Sequence, residues 1–410
     1  MNKLQSLLQK TSIVLALAGA LMLVGAQPAP EKRDRVSALS QRIARGKAKL
    51  EYTDKWGYLQ SVLANLDINV DSQILVFSKT SFQQQRISPE KPRALYFNDD
   101  TIVGAVQDAP LMELISVDPA DGLQFFSLET AKAEQPQLLA ERGQCTFCHG
   151  PINKWAQGIM IASVFPAPSG QPYSPPGALF HLTDHRSAFE DRWGGYWVTG
   201  TSGDIQHRGN SFAPDRAHPD RLDRSGNSNV TSLAERFDVS KYLAPTSDMV
   251  ALMTLEHQTM ATNILTSVAA QFRASETFPM ADTELDEAID RLVSYMLFVG
   301  ETKLSAPIRG VSTFTQTFSK RGPRDSKGRS LRDFDLQTQM FKYPLSYMIY
   351  TAAFDGLPVP ARERFYRRLY DVLTGKVTSG EYSQLNAERR REILEILIET
   401  KSGLPAYFTL

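Results

Sequence analysis

The chain has 410 residues, with 45 Lys plus Arg against 45 Asp plus Glu, 42% hydrophobic residues and two cysteines. Balanced charge offers no electrostatic attraction to nucleic acid or to an anionic membrane surface, and so few cysteines exclude a disulfide-rich scaffold. The apolar content is that of a globular protein, and the length calls for two or three domains.

Lys3 and Lys10 precede an apolar run from Ile13 to Ala26, after which small residues and prolines follow. This is the form of a secretory signal peptide over residues 1–26, cleaved near Ala26 and delivering the chain to the periplasm. The alternative is an uncleaved anchor helix, although about 14 apolar residues fall short of the ~20 that span a bilayer. No stable membrane span is expected after cleavage.

Two helices are expected in "EKRDRVSALSQRIARGKAKL" and "GYLQSVLANLDI". Five strand signals follow, "QILVFSK", "RALYFND", "TIVGAVQ", "LMELISVD" and "LQFFSLE", separated by Pro, Asp and Gly. "DPADG" before the last is a tight-turn candidate. Residues 27–136 are therefore read as N-terminal helices plus a small antiparallel sheet.

The two cysteines, Cys145 and Cys148, stand in "CTFCHG", with His149 directly after the second. A C-x-x-C pair serves a redox disulfide, half of a zinc site, or thioether attachment of haem. A structural zinc site wants a second pair of ligands, which the sequence lacks. A redox pair does not use the histidine. Haem attachment accounts for all three residues: Cys145 and Cys148 as thioether donors and His149 as proximal iron ligand, holding one covalent haem c.

On these residues the chain resembles the c-type cytochromes. "PQLLAERGQCTFCHG" is similar to their first helix, and "ADTELDEAIDRLVSYMLFVGE" to the helix that closes their fold, with Leu292, Tyr295, Met296 and Phe298 near helical spacing. Together these bracket a haem module at 137–301, enlarged by a loop-rich insertion at 150–280. "TDHRSAFEDRWGGYWVTGTSG", "HRGN", "LEHQTMATN" and "GRSLRDFDLQTQMFKYPLSYMIY" also resemble a group of large bacterial cytochrome c domain proteins. The fold expected is mainly α with a small antiparallel β region that serves as a lid over the porphyrin.

A second axial ligand would come from the insertion. Its first half is dense in Pro and Gly, which forbid long helices, and it holds His181, His185, His207 and His218 with Trp193, Tyr196 and Trp197. A helix over 247–272 aligns Met253, His257 and Met260 on one face. His257 and His207 are the foremost distal candidates, with Met160, Met249, Met253 and Met260 behind them; His185 and His218 are read as solvated. In the basic run 319–334, Arg329 and Arg332 are candidates for a haem propionate or an acidic partner, the alternative being a solvated loop.

Residues 302–410 form a C-terminal helical region. Pro344 should start or kink a helix, a helix follows Pro360 and ends at Gly375, and Asn386 caps the last helix, which stops at Gly403. The function expected is electron transfer to a redox partner protein. The alternatives are a peroxidase-type enzyme with an open iron and His207 or Glu256 as acid/base, or a haem-based sensor.

Overall fold

The computed structural model describes residues 33–410 apart from 142, 144, 147–148, 151–153, 174–180 and 378–379. The expected signal segment and Cys148 lie outside the described residues. Asp34–Leu410 form one compact unit.

Strands β1 (Ile74–Val76), β2 (Arg93–Phe97), β3 (Thr101–Ala105), β4 (Leu111–Asp118), β5 (Gly122–Glu129), β6 (Leu138–Ala140) and β11 (Tyr196–Trp197) make one sheet in the order β11-β1-β2-β3-β4-β5-β6, antiparallel throughout. The five strand signals are its centre. The "DPADG" turn joins β4 to β5: the Asp118 carboxylate accepts from the backbone N–H of Ala120 and Asp121, and Gly122 takes φ +73°, where a side chain would be strained.

This sheet corrects the expectation of a mainly α chain with a small β lid. Alternation along the strands buries both faces: Ile74, Val76, Leu95, Phe97, Ile102 and Phe125 join one core, while Leu75, Phe77, Ala94, Tyr96, Val103 and Phe126 join another. A sheet apolar on both sides must be sandwiched, so it divides the interior instead of covering a helical module. Two of its strands come from unexpected places. The lead-in to the cysteines supplies β6, a strand and not a helix, because β5 leaves an edge of unpaired backbone groups that Leu138–Ala140 can satisfy. The loop-rich insertion supplies β11 at the opposite edge. The described residues of that insertion ahead of 248 otherwise form the two-residue pairs β7 (Ala162–Ser163) with β10 (His181–Leu182) and β8 (Phe165–Pro166) with β9 (Pro172–Tyr173), besides 3-10 turns and isolated bridges.

The N-terminal helices α1 (Arg35–Ala44) and α2 (Leu59–Asn65) cover one face. The other packs against α3 (Met249–Ser275) and α4 (Asp282–Met296), with α5 (Phe314–Lys320), α6 (Ala352–Asp355), α7 (Val359–Leu373) and α8 (Ala387–Thr400) behind them. Asp248 starts α3 by accepting from the N–H of Val250 and Ala251, and its second oxygen takes the N–H of Val311 and Ser312. Asn386 caps α8 through Arg389, as expected, but α8 ends at Thr400, ahead of Gly403. Around Pro344 the expected helix is only a 3-10 turn at Tyr347–Tyr350 followed by α6. Ser346 N–H is drawn to the Met296 carbonyl, which holds the chain off a helical path. None of the described helices is long and apolar enough to cross a membrane.

Candidate cofactor site

A cavity lies on the α3 side of the sheet, with about 1370 Å3 of atom-free space, part of it continuous with solvent. Its floor is set by strand register. One cross-strand row is apolar, running from Phe97 to Ile102 to Ile115 to Phe125. The next row, two residues along each strand, runs from Leu95 to Gly104 to Glu113 to Ser127 and is partly polar. Its walls include Cys145, His149, Ile159, Met160, Tyr196 and Leu255.

His149 stands over the apolar row, its ring 5.1 Å from that of Phe125 and tilted by 30°. Its Nδ1 lies 3.0 Å from the carbonyl oxygen of Gly158, a contact in which Nδ1–H donates. That fixes Nε2 as the nitrogen with the lone pair. An imidazole so tied at one nitrogen is the usual arrangement of a metal-ligating histidine. Burial holds the His149 pKa below its usual value; the Gly158 contact opposes this, Arg93 adds to it and Glu113 opposes it. The neutral form is the one that ligates a metal.

The Gly158 carbonyl is itself held from below. Asn263, buried in α3, accepts from the Ile159 N–H at 2.9 Å and donates to the Ile159 carbonyl at 2.8 Å. One side chain therefore satisfies both polar groups of the residue next to Gly158.

Does the site fit a covalently attached porphyrin? Three features support it. Aliphatic and aromatic walls suit a large flat apolar ring. Cys145 and His149 both line the same space. At Gly104 a side chain would project beside Leu95 and Glu113, 3.4 and 3.7 Å away, so the glycine keeps the floor low. Among the described residues, no group of three or more His, Cys, Asp or Glu converges as an all-protein metal site would require.

No family model, curated protein or solved structure matches the chain. What the site can do therefore follows from its own geometry.

The foremost distal candidates do not line this cavity. His257, wholly buried in α3, is engaged at both ring nitrogens, Nδ1 with His185 Nδ1 at 2.8 Å and Nε2 with Ser346 Oγ at 2.7 Å. His207 is also wholly buried, packed on Trp193 at 5.0 Å, and burial lowers its pKa to about 4. His185 is not solvated as expected: it is 2% exposed, between His257, Tyr295 and Phe298. His218 is exposed beside Asp215. Of the four methionines only Met160 lines the cavity; Met249 and Met253 are core, and Met260 lines a groove with Tyr295 and Arg186.

Arg329 and Arg332 also face elsewhere. Arg329 donates to Asp325 and Glu395, each at 2.7 Å. Arg332, 3% exposed, is paired with Asp99 between the rings of Phe318 and Tyr347. The basic run is thus an ion-pair network built into the fold.

Sequence reading missed Arg93, Glu113, Phe125, Gly158 and Asn263. A signal for two of them was present: in "RALYFND" and "LMELISVD" the alternation puts Arg93 in line with Leu95, and Glu113 in line with Leu111 and Ile115, as charges on inward rows.

Proposed function

We propose that this chain is an exported c-type cytochrome that holds one haem in the cavity against the sheet and passes electrons to a partner protein. Cys145 and Cys148 would carry the thioethers, and His149 would be the proximal iron ligand. The observation that supports this most directly is the His149 contact with Gly158. It commits Nδ1 and leaves Nε2 as ligand, beside Cys145 and over an apolar floor.

When bound, the haem supplies one-electron chemistry, and its potential follows from ligand identity and burial. This chain's residues would do the rest. Asn263 and Gly158 orient the imidazole, the Phe125 row gives the ring apolar contact, and Ile159, Ile161 and Leu255 exclude water. Arg329 and Arg332, committed to carboxylates of the fold, have no part in this reading. The signal-like segment at 1–26 supports export, which haem attachment to C-x-x-C-H accompanies.

The test is the pyridine haemochrome spectrum of protein matured in a periplasm, after acid–acetone extraction. Colour that stays with the polypeptide, and is lost in Cys145→Ser and Cys148→Ser, is the expected result. A colourless, folded protein under conditions that load other c-type cytochromes would overturn the proposal. Reversible reduction in a potentiometric titration is the expected sign of the electron-transfer role.

A further inference from the structure

Beside Gly104, the cavity floor carries two charged side chains, Arg93 and Glu113, that an apolar porphyrin face does not call for. Arg93 on β2 and Glu113 on β4 meet across β3, where Gly104, the cross-strand neighbour of Glu113, puts no side chain beside the carboxylate. Their contact, Arg93 Nη1 to Glu113 Oε2, is 3.4 Å long, and Gln83 Nε2 reaches the other carboxylate oxygen at 3.3 Å. Both are at the long end of the hydrogen-bonding range, so neither oxygen is tightly held. The Arg93 Nε–H is buried with no partner. Arg93 and Glu113 line the same cavity as His149 and Cys145.

A propionate clamp explains this pair poorly. A carboxylate already beside the guanidinium would repel a second anion, and an acid–cation couple fits better a ligand that arrives neutral and leaves a proton behind.

We propose that Arg93 and Glu113 form a binding site, inside the haem cavity, for small weak acids of the type HX, such as hydrogen peroxide or hydrogen cyanide. The H–X bond breaks as the proton passes to a Glu113 carboxylate oxygen, which becomes neutral. The anion X⁻ keeps the bonding pair and is held by the Arg93 N–H donors. Charge is conserved: the carboxylate's negative charge moves to X⁻, and the guanidinium stays positive. The inference rests on the haem reading, since the haem is what makes such a ligand useful and visible.

The experiment is titration of the ferric holoprotein with cyanide, followed at the Soret band, after the haemochrome assay has established covalent haem. Imidazole, which ligates through its unprotonated nitrogen and keeps its N–H, is the control ligand. Wild type is expected to bind cyanide. Glu113→Gln and Arg93→Gln should each weaken it by about tenfold or more, the worth of a charge-assisted hydrogen bond. Imidazole affinity should stay within about twofold, because neither charge is used. The double variant Arg93→Gln/Glu113→Gln removes both charges together, so that no lone charge is left to unfold the protein. It should bind cyanide no better than the weaker single variant.

Cyanide affinity unchanged in all three variants would overturn the proposal, as would a wild-type haem that takes up no cyanide. Loss of haem from Arg93→Gln with ligand affinity unchanged would show a propionate clamp instead. Absence of covalent haem in wild type would sink the cytochrome reading itself, an outcome the prior assay identifies separately.

Discussion

Asn263 holds both backbone polar groups of Ile159, its amide spanning the N–H and the carbonyl at 2.9 and 2.8 Å. Through that clamp α3 sets the position of Gly158, and Gly158 sets His149. Asn263→Leu is close in volume yet strips two buried backbone groups of their partners, at about 1–3 kcal/mol each. The expected outcome is a urea midpoint lowered in proportion, together with a Soret band shifted or broadened as His149 loses its fixed orientation. A destabilised variant with an unaltered Soret band would show that the clamp serves only the fold.

His185, His207 and His257 make the fold acid-sensitive. Burial holds His257 at about 3, His207 at about 4 and His185 well below its usual value. An unfolded histidine titrates near 6.5. Below about pH 6.5 the unfolded chain takes up protons that the folded chain refuses, so stability is full above that pH and falls as pH drops. Each such histidine contributes a slope of about 1.4 kcal/mol per pH unit. Glu301, raised by burial to about 6 from 4.5, works in the opposite sense between those values, and Glu256 is raised in the same direction. Asp100 is raised by burial too, from a lower starting value, and His149 is lowered with the other histidines. The histidine loss runs through the whole interval from about pH 6.5 to 5, whereas Glu301 opposes it only below about 6, so the balance is a net loss. The urea midpoint should be lower at pH 5 than at pH 7, and the difference should shrink in His207→Phe. Equal midpoints would refute the balance.

Gly104 tests the cavity floor. Its backbone is not in the left-handed region, so Gly104→Val keeps a strand-favouring residue at an extended position. Its side chain would rise beside Leu95 and Glu113 into the space above the sheet. Far-UV circular dichroism is expected to be unchanged while haem per polypeptide falls several-fold. Full loading would mean that the bound ring does not approach β3.

Arg332 separates a fold role from a haem role. Buried between Phe318 and Tyr347 and paired with Asp99, it should cost about 2 kcal/mol or more when replaced by methionine. The visible spectrum should not move, because Arg332 does not line the cavity. A shifted potential with stability intact would restore it to the haem site.

The strands from β2 to β5 were legible because alternation and turn residues are local signals. So was α3, whose cap at Asp248 and end at Ser275 lie within a few residues of the pattern's limits. The place of β6 was not, since a three-residue segment forms a strand only when a neighbour's edge is present to pair with it. His257 shows the same limit within the site. Its spacing on α3 made it a ligand candidate, yet Ser346 and His185, far away in sequence, take both of its nitrogens.

Residue type and spacing alone disclosed the available chemistry: two thiols and an imidazole within five residues, an apolar N-terminal run, and five strands with their turns. Those follow from residue type and short-range periodicity, which need no fold to be read. Which groups share a cavity is set by contacts between distant segments. Register across β2, β3 and β4 brings Arg93 to Glu113 over a glycine, and a single asparagine on α3 positions the backbone that holds His149. Such meetings depend on pairings between distant segments, and no local pattern encodes which distant backbone will satisfy a given side chain.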